Sequence, residues 1–109
     1  MAFNSSLTRN ITTATLVRTA SANGDVVIGF RATNTTASAI KVSAYVTRSA
    51  TNYYLIGGAT NSTMGADVPV GGSLIIVNGD IDKLVLNNGD TVYLVASGAA
   101  DSIVSVLEN

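Results

Sequence analysis

The chain contains no histidine, no cysteine and no tryptophan in 109 residues. Without histidine it lacks the commonest metal ligand and the one side chain that ordinarily titrates near neutral pH. Without cysteine it has neither disulfides nor thiolate metal sites, which fits a chain made in a reducing cytosol. Charge is scarce as well. Only 12% of residues are charged, against about 25% in an average globular domain. Six basic residues stand against seven acidic ones for a net charge of -1. No basic footprint of the kind that neutralises phosphates is present, so nucleic acid is not an expected partner. No apolar run approaches the ~18 residues of a membrane-spanning helix, and the opening MAFNSSLTRN lacks the basic start and apolar stretch of a secretory leader. Neither a cofactor nor a membrane partner is expected.

Short apolar runs alternate instead with Asn, Gly, Ser and Thr, and hydrophobic residues make up 47% of the chain. Period-two alternation marks strands. Val26, Ile28, Phe30 and Ala32 form one stripe, with Val27, Gly29, Arg31 and Thr33 on the opposite face. Ile40, Val42, Ala44 and Val46 repeat the pattern, opposite Lys41, Ser43, Tyr45 and Thr47. The turn-forming Asn34–Ser38 between them predicts an antiparallel pair, 25–34 with 39–48. Thr91–Ser97 is a third clear strand, with Val92, Leu94 and Ala96 on one face and Tyr93 and Val95 on the other. It follows the turn Asn87-Asn88-Gly89-Asp90, so Lys83–Leu86 is its expected hairpin partner. Ser73–Val77 is apolar throughout, as in a strand covered on both faces or held in a subunit contact. Ser102–Glu108 ends the set, and Ile11–Arg18, Tyr53–Ile56 and Asp67–Val70 are weaker strands. Seven to nine short strands at this spacing predict an all-β fold, a single antiparallel β-sandwich of immunoglobulin-like or jelly-roll type. Residues 1–10 read as a polar N-terminal arm carrying Phe3 and Leu7, residues 11–109 as the sandwich, and Gly57–Gly65 as a long exposed loop.

Candidate chemistry is thin. Asp80 and Asp82 with Asn78 are oxygen ligands of the type calcium takes, but their spacing is also that of an Asx-rich turn. Asp25, Asp90 and Asp101 sit at turns or strand starts, and turn formation explains them without an acid–base role. Ser and Thr are abundant, yet a nucleophile needs an activating base and Gly-x-Ser-x-Gly is absent. Neither Gly57-Gly58 nor Gly71-Gly72 leads into a phosphate loop. Asn4, Asn10, Asn34 and Asn61 begin Asn-x-Ser/Thr triplets, which chance alone supplies in a chain of this composition. No catalytic or metal-binding residue is therefore assigned, and an enzyme is not expected. The tyrosines point elsewhere. Tyr45 and Tyr93 face away from the apolar stripes, and Tyr53 and Tyr54 are adjacent, so one of them faces outward. Such amphipathic rings suit interfaces.

The segments DVVIGFRATNTTASAIKVSAYVT (25–47), VPVGGSLIIVNGD (68–80) and KLVLNNGDTVYLVAS (83–97), with the closing SIVSVLE, resemble small virion structural proteins of tailed bacteriophages, of the cyanophage and marine-phage type. The likeness runs over about residues 15–108 and is carried by the order of these pieces. It implies a capsid decoration or cement protein that binds the assembled head, with itself (a homotrimer) and the major capsid protein as partners, and residence in the virion after synthesis in the host cytoplasm. A collar, tail or fibre-associated role is the alternative within the virion. A carbohydrate-binding module is the alternative outside it. The expected contact residues are Phe3, Leu7, Arg31, Tyr45, Tyr53, Tyr54 and Tyr93, with Arg31 and Lys41 ringing a contact centred on Tyr45 or Tyr93.

Overall fold

In a computed structural model, which describes residues 2–59 and 64–109, the chain forms two antiparallel sheets packed face to face. Ten strands are present among the described residues: β1 (Ala2–Ile11), β2 (Thr15–Thr19), β3 (Asp25–Asn34), β4 (Ile40–Arg48), β5 (Thr51–Ile56), β6 (Ala66–Val68), β7 (Ser73–Asn78), β8 (Leu84–Leu86), β9 (Thr91–Ala96) and β10 (Ala100–Glu108). The two sheets share one plan. The first runs β1-β10-β3, and the far edge of β3 is divided between β8 and β7. The second runs β2-β9-β4, and the far edge of β4 is divided between β5 and β6. The expected β-sandwich is the observed architecture.

Between the sheets lie Ile11, Phe30, Ala32, Val42, Leu86, Leu94, Val104 and their neighbours, all buried. Each fully buried aliphatic or aromatic side chain contributes about 1.5–3 kcal/mol relative to exposure. The stripes on β4 and β9 face inward as their alternation predicts. The β3 stripe does so only at Phe30 and Ala32. Val27, placed on the outward face by its spacing, is fully buried, whereas Val26 and Ile28 are only half-buried. The register along β10 explains this. Ser105 lies opposite Gly29 and Val106 opposite Val27, so Ile28 is an extra residue in a β-bulge. One inserted residue exchanges the two faces of the strand.

Strand pairing also departs from the sequence expectation. β3 and β4 are not a hairpin: the link 35–39 carries the chain from one sheet to the other. Asn34 enforces the crossing. Its side chain is buried, and Nδ2 donates to the carbonyls of Ser38, Val68 and Pro69 at 2.8, 3.1 and 3.2 Å. Its Oδ1 accepts from the Thr36 N–H and hydroxyl, both at 2.8 Å. β8 likewise pairs with β3 and not with β9. The Asn87–Asp90 turn there also crosses between sheets, with the Asp90 carboxylate accepting the Asn87 N–H at 2.8 Å. Of the connections made by a tight turn, only β4–β5 is a hairpin. Its central residues, Ser49 and Ala50, both have positive φ, 52° and 64°. That matches a type I′ turn, a geometry usually filled by Asn and Gly.

The N-terminal segment is laid down as a full strand, not a detached arm. β1 pairs with β10 from Ala2 to Thr8 and again at Ile11. A bulge at Arg9-Asn10 separates the two stretches, and Asn10 adopts φ 55° there, a conformation Asn tolerates. The expected loop 57–65 falls in part on residues 60–63, outside the described residues, as does Asn61. Among the described residues, no helix is long and apolar enough to cross a membrane.

Candidate functional site

The charged groups were met first as possible chemistry, and the structure engages most of the carboxylates in pairs that hold the fold. A bulge in β2 leaves Val17 without a partner and turns Arg18 toward the space between the sheets. Its Nε donates to Asp25 Oδ2 at 2.8 Å, its Nη2 to Glu108 Oε2 at 2.8 Å and its Nη1 to Ser6 Oγ at 3.3 Å. One side chain of the second sheet thereby ties down three strands of the first. Asp25 is fully buried. Burial alone pushes its carboxyl up, but the bonds from Arg18 and from the Ser21 hydroxyl and N–H outweigh it and hold it below its ordinary value. Glu108 is lowered as well, by Arg18 first and then by Asn4. At the opposite side, Arg48 grips Asp90 through Nε, 3.0 Å from both carboxylate oxygens, and through Nη2. That bond lowers Asp90 in turn. Lys41 pairs with Asp67 at 2.7 Å on the surface.

Asp80 and Asp82 belong to a turn. Asn78 Oδ1 accepts the Asp80 N–H at 3.0 Å, and the Asn78 carbonyl accepts from Ile81 and Asp82. Among the described residues no group of three or more carboxylates converges on a point where a cation would sit. Asn34 is committed to the crossing link described above, so its Asn-x-Thr triplet is not available as a surface acceptor.

Three apolar surfaces stand out among the described residues, and the expected contact residues are divided among them. The outer face of the second sheet carries a row that crosses four strands in register: Leu16, Tyr93, Tyr45 and Tyr54. Tyr45 stacks on Tyr93 at 5.1 Å and 12° and meets Tyr54 at 5.1 Å and 50°. Packed aromatic pairs of this kind add about 0.5–1.5 kcal/mol each beyond area burial. Burial, followed by the two neighbouring phenols, raises the Tyr45 hydroxyl above its ordinary value. Tyr45 is thus the middle of a ladder, with both ring faces engaged inside its own chain.

The second surface is a groove of about 380 Å³ at the open side of the sandwich. Tyr53, Tyr54, Leu55, Leu84 and Val85 line it with Val46 and Arg48. Tyr53 lies opposite Val46 and so points to the inner side at an edge, while Tyr54 points out.

The third surface is the outer face of the first sheet. Phe3 and Leu7 are 78% and 71% exposed, and Ile75, Val85 and Ile103 stand out beside them. Two rows cross this face, Leu7–Ile103–Arg31–Ile75, apolar except at Arg31, and the apolar Phe3–Leu107–Val26–Val85, with the small residues Ser5, Ser105 and Gly29 between. Arg31 belongs here, on the first sheet, whereas Lys41, Tyr45 and Tyr93 lie on the second. The two cations are therefore on opposite sides of the molecule and do not ring one contact. The misplacement follows from reading β3 and β4 as neighbours. Ile75, Val85 and Ile103 were missed because their strands are short or carry apolar residues on both faces. The one usable signal was the excess of apolar residues in 73–77 over what a one-sided strand needs. No family model matches this chain, and neither a curated protein nor a solved structure matches it.

Proposed function

We propose that this chain is a structural protein of a tailed-phage virion, a decoration or cement protein that binds the surface of the assembled head and self-associates. The observation that carries the reading is the outer face of the first sheet. Five large apolar side chains are exposed there, and a monomer rarely shows contiguous apolar patches beyond a few hundred Å². The anchoring carboxylates Asp25, Asp90 and Glu108 are at the same time engaged in structural ion pairs, which suits a protein that works by shape and not by reaction. The phage assignment itself rests on the sequence resemblance. The test is sedimentation of the purified protein with assembled phage heads through a density gradient, with unassembled capsid subunits as control. Retention on heads alone supports the reading. Immunogold label at the collar, tail or fibres of whole particles would move the protein within the virion.

A second reading, a carbohydrate-binding module, is favoured by one feature: Tyr53 and Tyr54 line a concave groove. Sugar sites need convergent polar groups beside their aromatics. The other lining residues here are aliphatic, apart from Arg48, whose guanidinium is held by Asp90. Binding on a glycan array that disappears in Tyr53→Ala/Tyr54→Ala, with no retention on heads, would replace the first reading by this one.

A further inference from the structure

β1 is an edge strand, and its free edge has a definite hydrogen-bonding pattern. The Asn109 N–H donates to the Gly24 carbonyl across the Glu108–Asp25 pair. In an antiparallel ladder this turns the N–H and C=O of Glu108 away from β3 and toward β1. The even residues of β10 therefore bond the even residues of β1, Ala2 to Thr8, which are their partners in register. Phe3, Ser5 and Leu7 must then aim their backbone groups at the open edge. The Ser5 N–H agrees: its acceptor is the Asn4 side chain, at 2.8 Å, and not β10.

This edge lacks the usual devices against pairing. Natural edges are blunted by proline, by charge, by brevity or by a covering segment. Between Ala2 and Thr8 there is no proline and no charged residue, and the strand is ten residues long. Its one bulge lies beyond, at Arg9-Asn10. The side chains are also symmetric about Ser5, with Phe3 and Leu7 two positions to either side.

We propose that two copies of this chain join through their β1 edges, antiparallel about a two-fold axis at Ser5, so that the first sheets of both copies form one continuous sheet. Ser5 then lies opposite the partner's Ser5, and Phe3 opposite the partner's Leu7. Phe3, Ser5 and Leu7 form hydrogen-bonded pairs, giving about six backbone bonds across the axis. On the outer face the rows join end to end. Ile103 and Leu7 continue into the partner's Phe3 and the partner's Leu107, and the two-fold repeats this in reverse. The two large exposed apolar side chains of this strand are each brought against an apolar residue. Asn4, which holds the Ser5 N–H in the single chain, keeps its bond to Glu108 at 3.3 Å when that N–H changes acceptor. The occupant is a second copy because the pattern of Phe3, Ser5 and Leu7 is complementary to itself, and because no charged residue lies in the paired stretch Ala2–Thr8. The pair is closed and two-fold, unlike the trimer implied by the resemblance, and it uses neither Tyr45 nor Tyr93.

An edge contact of this size is at the small end of specific interfaces, so a dissociation constant of roughly 1–100 µM is expected. Sedimentation equilibrium up to about 500 µM, well above that range, should show a reversible monomer–dimer equilibrium. Ser5→Pro removes an N–H that β10 does not use and should yield a monomer with unchanged β-type circular dichroism. Leu7→Lys, which leaves the backbone alone, should do the same and decides the matter if the proline variant does not fold. Since the chain has no cysteine, Ser5→Cys is a single probe. A short bismaleimide should link it about tenfold faster than Thr51→Cys on the other sheet, because facing residues of such a pair lie about 5.5 Å apart at Cα. A mixture of Phe3→Cys and Leu7→Cys should cross-link faster than either alone, which fixes the register. A monomer at the highest concentration, a trimer, a Leu7→Lys variant that still dimerises, or equal linking of the Ser5→Cys and Thr51→Cys probes would each overturn the proposal.

Discussion

Replacing Arg18 by Met tests how far the sandwich depends on the inter-sheet tie that this side chain makes. The substitution keeps most of the aliphatic length and removes the guanidinium. Asp25 then loses the Nε–H donor at 2.8 Å and its counter-charge while staying fully buried, keeping only the Ser21 donors. Breaking a buried pair from one side costs about 3–5 kcal/mol, and the Ser21 bonds place this case in the lower half, about 3–4 kcal/mol. For a domain of this size 1 kcal/mol moves the melting temperature by about 4–8 °C, so a drop of about 12–30 °C is expected by calorimetry. The pH profile should change sign as well. In the natural chain Asp25, Asp90 and Glu108 all lie below their ordinary values. A depressed carboxylate contributes stability above its unfolded pKa and loses it as the pH falls through the folded one. The natural protein, lacking histidine, should thus be flat from about pH 8 to 6 and weaken only below about pH 4. In Arg18→Met the buried Asp25 is without its cation, and burial raises its pKa. That variant should melt higher at about pH 5 than at pH 7. A loss under about 1 kcal/mol, or a variant whose melting temperature falls on acidification, would refute the assignment of Arg18 as the tie.

Phe30→Ala should cost about 3–5 kcal/mol in urea unfolding, because Phe30 is among the largest fully buried side chains and the sheets on either side cannot close the gap. The double change Ser49→Asn/Ala50→Gly should raise stability by about 0.5–1 kcal/mol, since both native residues carry positive φ that Asn and Gly accept at lower cost. Phenolate absorbance should show a step above the usual tyrosine range, and Tyr45→Phe should abolish that late step. Because a raised phenol favours the folded state only below its unfolded pKa, stability should decline above about pH 10.

Apart from β1, which reads as an arm, the strands were legible and their partners were not. Alternation reports which residues share a face, and it placed Val42, Ala44, Leu94 and Ala96 in the core without other help. It says nothing about which strand lies alongside. Asn34–Ser38 has the composition of a hairpin turn, and only the burial of Asn34 against Val68 and Pro69 makes it cross between sheets. The face of Val27 depended on a single bulged residue, Ile28, which no local spacing announces. The Ser49-Ala50 turn was equally silent, because the residues that normally mark positive φ are absent from it. Of the candidate surfaces, adjacent Tyr53 and Tyr54 were visible in the sequence. The tie between Arg18 and Asp25 was not, since it depends on the bulge at Val17 turning an otherwise ordinary arginine inward.

The place of β10 has a consequence for how the chain reaches this state. Strand β10 lies between β1 and β3, and among the described residues nothing else joins those two. A growing chain therefore cannot complete the first sheet until residues 100–108 have left the ribosome, and β1 waits unpaired until then. Most pairings span large sequence separations, which puts folding in the millisecond-to-second range typical of sandwiches. Removing residues 100–109 should not yield a smaller sandwich. It should release β1 and expose both neighbouring edges at once, so that truncated chains aggregate during synthesis while full-length chains fold in a single cooperative step.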